Sequence, residues 1–196
     1  MGQQPPVVAT CAPDVTYRVL WKRRSARAAL PVNPQGMPID QAPTYAAPTS
    51  TSWTVDCGHD DKVWLGGFAA LRHLPSNVDA VVTLCRVADE DLPAGVQHVD
   101  VRLIDKEGEN DNLDFVLLDT VRAIEQLRAD GRTVFVHCVQ AYSRTPTIGT
   151  LYGARKRGVG SDEALHDVLA VLKGAYPNED FRAALRRLAP ASDGGS

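Results

Sequence analysis

The sequence predicts an α/β domain built on a central, mostly parallel β-sheet flanked by helices. Two short runs, 80–85 and 133–136, are almost wholly apolar and rich in β-branched residues, which is typical of strands buried on both faces. Between them, residues 113–130 repeat leucine, valine and isoleucine near helical spacing. Strands that alternate with helices favour a parallel sheet, because a parallel pair needs a long crossover connection.

The same alternation continues from about residue 53 to the end of the domain. Strands are expected at 62–67, 80–85, 99–104 and 133–136. Helices are expected at 113–130, about 145–157, about 161–173 and about 178–189. Their expected N-caps are Asn112, Thr145, Ser161 and Asn178. Pro146 suits a first helical turn, and Gly131 and Pro190 are expected stops.

The amino-acid composition is typical of an ordinary globular protein. Its 196 residues fit one domain plus some extra length, with 44% hydrophobic and 23% charged residues. A net charge of −3 offers no global reason to expect a nucleic acid or a membrane as partner. The apolar runs are too short to span a bilayer, and the first residues do not resemble a secretory signal.

The first part of the chain has a different composition. Residues 1–52 contain eight of the thirteen prolines and read as a Pro-rich arm or linker, with a possible short strand at 16–21. We therefore expect three parts: this arm, a folded domain at 53–190 and a flexible tail at 191–196. The sequence leaves the role of the arm and the oligomeric state open.

Four cysteines, at positions 11, 57, 85 and 138, are widely spaced and form no CxxC pair. The spacing of Cys57 and His59 is a weak metal signal without further ligands, so no metal site is expected. A reducing, cytoplasmic compartment is the simplest interpretation of such cysteine usage.

The chemically informative segment is the loop between the last predicted strand and the next helix. Cys138 ends the strand, Arg144 follows six positions later, and a helix then begins. Backbone N–H groups and the helix dipole at such a place favour an anion and the thiolate form of a cysteine. Arg144 can hold two phosphate oxygens, and Thr145 is placed to donate its hydroxyl to the sulfur. The plain alternative is a packed, inert strand cysteine.

His137-Cys138, five residues and Arg144-Thr145 resemble the signature loop of the cysteine-dependent protein tyrosine phosphatases, most closely their dual-specificity branch. Segments 63–67, 81–85 and 177–181 occur in the order that this family uses, so the resemblance covers roughly residues 53–190. It implies a protein tyrosine phosphatase-like fold of the dual-specificity type. It also implies a loop that binds the substrate phosphate through Val139, Gln140, Ala141, Tyr142, Ser143 and Arg144.

The resemblance further implies a two-step reaction without a metal or organic cofactor. Cys138 attacks phosphorus, and an upstream aspartate protonates the leaving group and then activates water. Asp105, which lies 33 residues before Cys138, is the first candidate for this acid. Asp111 is the second, and the other competitors are Glu107, Glu109 and Asp114. A solvated acidic turn is the alternative interpretation of this stretch.

Three further positions, Ala141, His137 and Cys85, affect how the loop is expected to work. The family usually has glycine where Ala141 stands, so a positive φ there would cost about 1 kcal/mol and loosen the loop. His137 is expected to order the loop rather than to act as a base. In some relatives a cysteine in the region of Cys85 forms a reversible disulfide with the nucleophile, but a packed strand cysteine is the alternative.

The expected function is hydrolysis of phosphotyrosine, with phosphoserine or phosphothreonine also possible, in phosphorylated protein substrates. No lysine lies between Cys138 and Arg144, which disfavours substrates carrying several phosphates. Two alternatives stay open: a phosphate-binding module without turnover, and a sulfur-transfer or thiol-redox protein that uses the same loop.

Overall fold

The computed structural model describes residues 60–191, so the predicted arm at 1–52, the pair Cys57 and His59, and nearly all of the predicted tail lie outside the described residues. Within the described part the strands are β1 (Val63–Gly67), β2 (Ala80–Thr83), β3 (Gln97–Asp100) and β4 (Val134–Cys138). The α-helices are α1 (Leu113–Ala129), α2 (Arg144–Arg157), α3 (Ser161–Val171) and α4 (Glu179–Leu188).

These strands form one sheet in the order β1-β4-β2-β3, and every pairing is parallel. The carboxyl ends of the strands therefore meet at one edge of the sheet. Gly67 lies opposite Cys138, and Thr83 lies opposite His137. The expected α/β fold with a parallel sheet is confirmed, and β4 occupies a central position that brings Cys138 between two neighbouring strands.

The two faces of the sheet are covered differently. One face packs against all four α-helices in a single core that includes Leu117, Ile148 and Phe181. The other face carries Val81 and Phe135 and packs against the 3-10 helix at Phe68–His73 and the loops around it. In residues 60–191 no helix is both long and apolar enough to cross a bilayer.

The largest difference from the predicted elements is at the third strand, expected at 99–104 and found at Gln97–Asp100. The N–H of Val101 still bonds the Thr83 carbonyl at 2.8 Å, and Leu84, the residue after β2, bonds the His137 carbonyl of β4 at 2.8 Å. After this bond, residues 102–104 run past the end of β2 and are available to line the edge of the sheet.

Two expected caps are also wrong. Helix α2 begins at Arg144 with Ser143 in the cap position, so Thr145 lies inside the first turn. Gly160, rather than Ser161, precedes α3. The cap at Asn178 is confirmed, because its side-chain oxygen accepts the Phe181 N–H at 3.0 Å. Polar residues that follow one another near a helix start make the capping position ambiguous in a sequence.

Close approach of the backbone explains two glycines near the loop. A Cβ at Gly66 would lie 2.8 Å from the Phe135 ring, and a Cβ at Gly67 would lie 3.1 Å from the Val139 carbonyl. That same carbonyl accepts the Phe68 N–H at 3.0 Å. Small residues at the end of β1 thus let it lie directly against the start of the loop after Cys138.

Candidate active site

The loop 138–144 joins β4 to α2 at the carboxyl edge of the sheet, where ligands of open α/β sheets bind. Cys138 is only 2% exposed, whereas Val139 and Tyr142 are about half exposed. Ser143 and Thr145 are buried where the helix begins. No side chain caps the start of α2, so the backbone donors of the loop and first turn are not satisfied in that way. The arrangement suits an anion above the buried sulfur.

The Arg144 side chain is fixed across the edge of the sheet. Its Nη1 donates to the carbonyls of Leu84 and Leu103, each at 3.2 Å. Its Nε is buried, makes no hydrogen bond within residues 60–191, and lies 3.5 Å from Oδ2 of Asp105. Because a buried donor without an acceptor is costly, this guanidinium is well suited to an added anion. The carbonyl of Leu103 is available to Arg144 because this residue lies beyond the end of β3.

Among the five carboxylates that the sequence left as candidate acids, Asp105 is the one that forms an ion pair with Arg144. Glu109 instead pairs with Lys106 at 2.8 Å, and Asp114 pairs with Arg187 at 2.6 Å. Glu107 accepts the Glu179 N–H, and Asp111 lines a separate groove with Asp114 and Asp180. The geometry thus separates Asp105 from its competitors, although all five lie within ten residues of one another.

His137 is fully buried behind the loop and stacks on Phe135, with ring centroids 5.6 Å apart. Its Nδ1 lies 3.3 Å from the Cys138 carbonyl and therefore carries a proton to donate. Its Nε2 then accepts from the Thr83 hydroxyl at 3.0 Å, and that oxygen accepts from His98 at 2.9 Å. Burial lowers the pKa of His137 to about 4, despite the bond to the Cys138 carbonyl. A neutral ring that orders the loop agrees with its expected role.

The hydroxyl of Thr145 does not reach toward the sulfur. It donates to the Gly66 carbonyl at 3.2 Å and ties the first turn of α2 to β1. The expectation that Thr145 stabilises the thiolate is therefore wrong, since a hydroxyl has one proton to give. Close packing of β1 against the loop, which the glycines of β1 permit, supplies the competing acceptor.

Comparisons with known proteins indicate the family of this chain. No protein-family model matches the chain. Over 133 residues it is 30% identical to dual specificity protein phosphatase 1 of Arabidopsis thaliana, covering 66% of this chain and 66% of that protein. Its structure resembles that of a human DUSP28 variant, with a TM-score of 0.57 and 26% identity over 65% of this chain and 88% of that chain.

A mouse putative dual specificity phosphatase complexed with zinc tungstate is similar as well, with a TM-score of 0.56 and 26% identity over 65% of this chain and 82% of that one. The chain belongs to the cysteine-dependent protein tyrosine phosphatase superfamily. Its relatives are dual specificity phosphatases. The chain spans just under two thirds of the length of the Arabidopsis relative.

This member of the superfamily departs from the usual loop at Ala141. Its φ of 56° is the one positive value at a non-glycine residue in the described part of the chain. A left-handed backbone costs a residue with a Cβ about 1–2 kcal/mol, so the loop is strained there. The sequence-based expectation that alanine is unfavourable at this position is supported by the observed backbone.

We expect the change Ala141→Gly to raise the free energy of unfolding by about 0.5–1 kcal/mol, because glycine relieves the left-handed strain by more than it adds to unfolded-chain entropy. Urea unfolding measures the difference. Ala189→Gly is the matched control: at φ −69° there is no strain to relieve, so that variant should be less stable than the parent. A loss of stability in Ala141→Gly would contradict the claim that the backbone at Ala141 is strained.

Cys85 and three residues outside the loop 138–144 also lie near the candidate site. Cys85 is a buried free thiol; burial raises its pKa, while the charge of Arg144 acts in the opposite direction. The reversible disulfide with Cys138 stays a prediction. Thr83, Tyr176 and the side-chain contacts of Asn178 were not predicted from the sequence. The segment Pro177–Phe181, already noticed as a family element, was the available signal for Asn178.

Proposed function

We propose that the chain is a protein phosphatase that hydrolyses phosphotyrosine through a phosphocysteine intermediate. The observation that carries this proposal is the shared location of Cys138, Arg144 and Asp105 at one edge of the sheet, with Arg144 and Asp105 3.5 Å apart. Family membership supports it, since the relatives are dual specificity phosphatases. The substrate class is phosphorylated proteins, and the free thiol suits a reducing compartment such as the cytoplasm.

In the proposed first step, the Cys138 thiolate forms a bond to phosphorus while the bond from phosphorus to the ester oxygen breaks. Asp105, in its protonated form, gives its proton to that oxygen, so the leaving group departs as a neutral hydroxyl. Arg144 and the N–H groups of the loop hold the oxygens of the phosphoryl group, where negative charge accumulates. In the second step, Asp105 accepts a proton from water, which attacks phosphorus and releases phosphate and the thiolate.

The mouth of the site favours an aromatic substrate. Four half-exposed apolar side chains lie on the loop and on two segments next to it: Ile104, Val139, Tyr142 and Tyr176, which are 50–55% exposed. Ile104 adjoins Asp105, and the Tyr176 N–H donates to the Tyr142 carbonyl at 2.6 Å. An aryl ring would bury apolar surface against this rim, whereas the short side chain of phosphoserine would not. The rim supports phosphotyrosine as the preferred substrate.

The direct test is an assay of the wild-type protein on an aryl phosphate, with tungstate as competitor. We expect saturable hydrolysis with competitive inhibition, because tungstate is a tetrahedral oxyanion of the kind that the loop suits. The alternative of a phosphate-binding module is favoured by the strained Ala141. Tungstate binding without hydrolysis in a folded protein would establish that alternative instead.

Asp105→Asn distinguishes a phosphatase from a sulfur-transfer or redox protein. We expect kcat/KM to fall by about 10²–10⁴ on phenyl phosphate, the usual worth of a positioned acid. On p-nitrophenyl phosphate the loss should be smaller, since that leaving group departs without a proton. Asp111→Asn serves as the control and should change little. Equal losses on the two esters would contradict the acid role of Asp105.

A further inference from the structure

We propose that Asn178 is a positioning residue: it orients the Asp105 carboxyl group toward the leaving group and holds it in place relative to the loop 138–144. This inference rests on the proposed function. It concerns a residue whose only expected role from the sequence was to cap α4.

Asn178 contacts three separate parts of the site. Its Nδ2 donates to Oδ1 of Asp105 at 3.3 Å, and its backbone N–H donates to the Ser143 hydroxyl at 3.2 Å. Its Oδ1 accepts the Phe181 N–H at 3.0 Å, which fixes the side chain to the start of α4. All of its polar side-chain atoms are thus engaged, and the amide is oriented with its nitrogen toward Asp105 because its oxygen is held by the helix.

Neighbouring contacts show that the start of α4 is a frame for the acid-bearing loop. The Glu179 N–H donates to Glu107 at 3.2 Å, and Asp180 accepts the Gly108 N–H at 2.6 Å. These backbone bonds dock the segment after Asp105 onto α4. Since they do not touch Asp105 itself, the Asn178 amide is the contact from α4 that reaches its carboxyl group.

The contact with Asn178 also determines which carboxyl oxygen of Asp105 donates the proton. Oδ1 of Asp105 accepts from Asn178, and Oδ2 faces the Arg144 Nε at 3.5 Å. In the neutral acid the carbonyl oxygen is the stronger acceptor, so the amide hydrogen bond to Oδ1 favours the tautomer with the proton on Oδ2. Asn178 therefore places the transferable proton on Oδ2, the oxygen on the side where the phosphate would bind.

The test compares Asn178→Ser with the wild type on two aryl esters. Serine is a good N-cap but is too short to reach Asp105, so the cap is kept and the amide donor is lost. We expect kcat/KM on phenyl phosphate to fall about tenfold and that on p-nitrophenyl phosphate to change less than threefold, with tungstate affinity unchanged. In an Asp105→Asn background the serine change should add nothing, because the acid it positions is gone.

Two further variants make the result decisive. Asn178→Thr also keeps a capping oxygen and removes the amide donor, so it should show the same substrate-selective loss and replaces the serine variant if that one does not fold. Asn112→Ser, at the start of α1, is the matched control, because Asn112 makes no side-chain cap bond and should leave both rates unchanged.

Equal losses on both esters, or a further loss in the Asp105→Asn background, would overturn the positioning role while leaving the phosphatase proposal intact. Absence of hydrolysis by the wild type would overturn both.

Discussion

Replacing Cys138 by serine should abolish hydrolysis of an aryl phosphate, with a fall in kcat of roughly 10³–10⁶-fold. A serine hydroxyl stays protonated near neutral pH, and the site offers it no base: His137 is neutral, buried and donates to the Cys138 carbonyl. Cys138 is 2% exposed and the change is nearly isosteric, so the fold should persist. Steady-state rates and tungstate binding, measured on the same preparation, check both points.

Cys85→Ser is the matched control for this substitution. Cys85 is also a buried free thiol, at 5% exposure, in the segment that follows β2. The same chemical change there should leave turnover within a few fold of the wild type. Hydrolysis by Cys138→Ser at a rate near that of Cys85→Ser would exclude the phosphocysteine intermediate. Retained tungstate binding with lost turnover would show that Cys138 supplies nucleophilicity rather than the anion site.

The second large effect concerns stability at the opposite edge of the sheet. The Asp60 side chain is 3% exposed, and its Oδ2 accepts from Arg128 at 2.9 Å, Tyr152 at 2.8 Å and Lys156 at 2.6 Å. It thereby joins the start of β1 to α1 and α2. Asp60→Ala should lower the free energy of unfolding by about 3–5 kcal/mol, because it leaves two cations beside a vacated, desolvated position.

Asp114→Ala provides the contrast for Asp60→Ala. Asp114 also pairs with an arginine, Arg187, at 2.6 Å, but both side chains are about half exposed. Solvent screening reduces such a pair to about 0.2–1 kcal/mol. The loss of unfolding free energy, measured by urea unfolding, should therefore be severalfold larger in Asp60→Ala than in Asp114→Ala. Similar losses in both variants would show that burial of the Asp60 cluster, which is Asp60 with Arg128, Tyr152 and Lys156, adds nothing to stability.

The Asp60 cluster also predicts how stability depends on acid. Burial alone would raise the pKa of Asp60, but the hydrogen bonds from Arg128, Lys156 and Tyr152 hold it well below its ordinary 3.8. The folded state therefore binds this proton less readily than the unfolded chain. Its stabilising contribution is complete above about pH 4 and is lost as the pH falls below that value. Unfolding of Asp60→Ala should lack this part of the acid dependence, whereas Asp114→Ala should retain it.

How far the sequence could predict the site depends on how local each feature is. The parallel sheet, the central strand that ends at Cys138 and the helix that follows the loop are encoded in contiguous patterns of apolar residues. Their boundaries were less certain, as with β3, because the end of a strand depends on how far its pairing with the neighbouring strand continues, and β3 pairs with β2 only as far as Asp100. Thr145 was misassigned for a similar reason: its acceptor, Gly66, lies 79 residues away in the chain.

By itself, the sequence determined the fold class and the position of the candidate loop, since the order of Cys138, Arg144 and a following helix lies within one short segment. Only the tertiary structure decided which of five nearby carboxylates meets Arg144, which carbonyls anchor that guanidinium, and that Asn178 touches Asp105 across 73 residues. Those contacts depend on how separate segments converge at the edge of the sheet, and the spacing of residues along the chain does not specify that convergence.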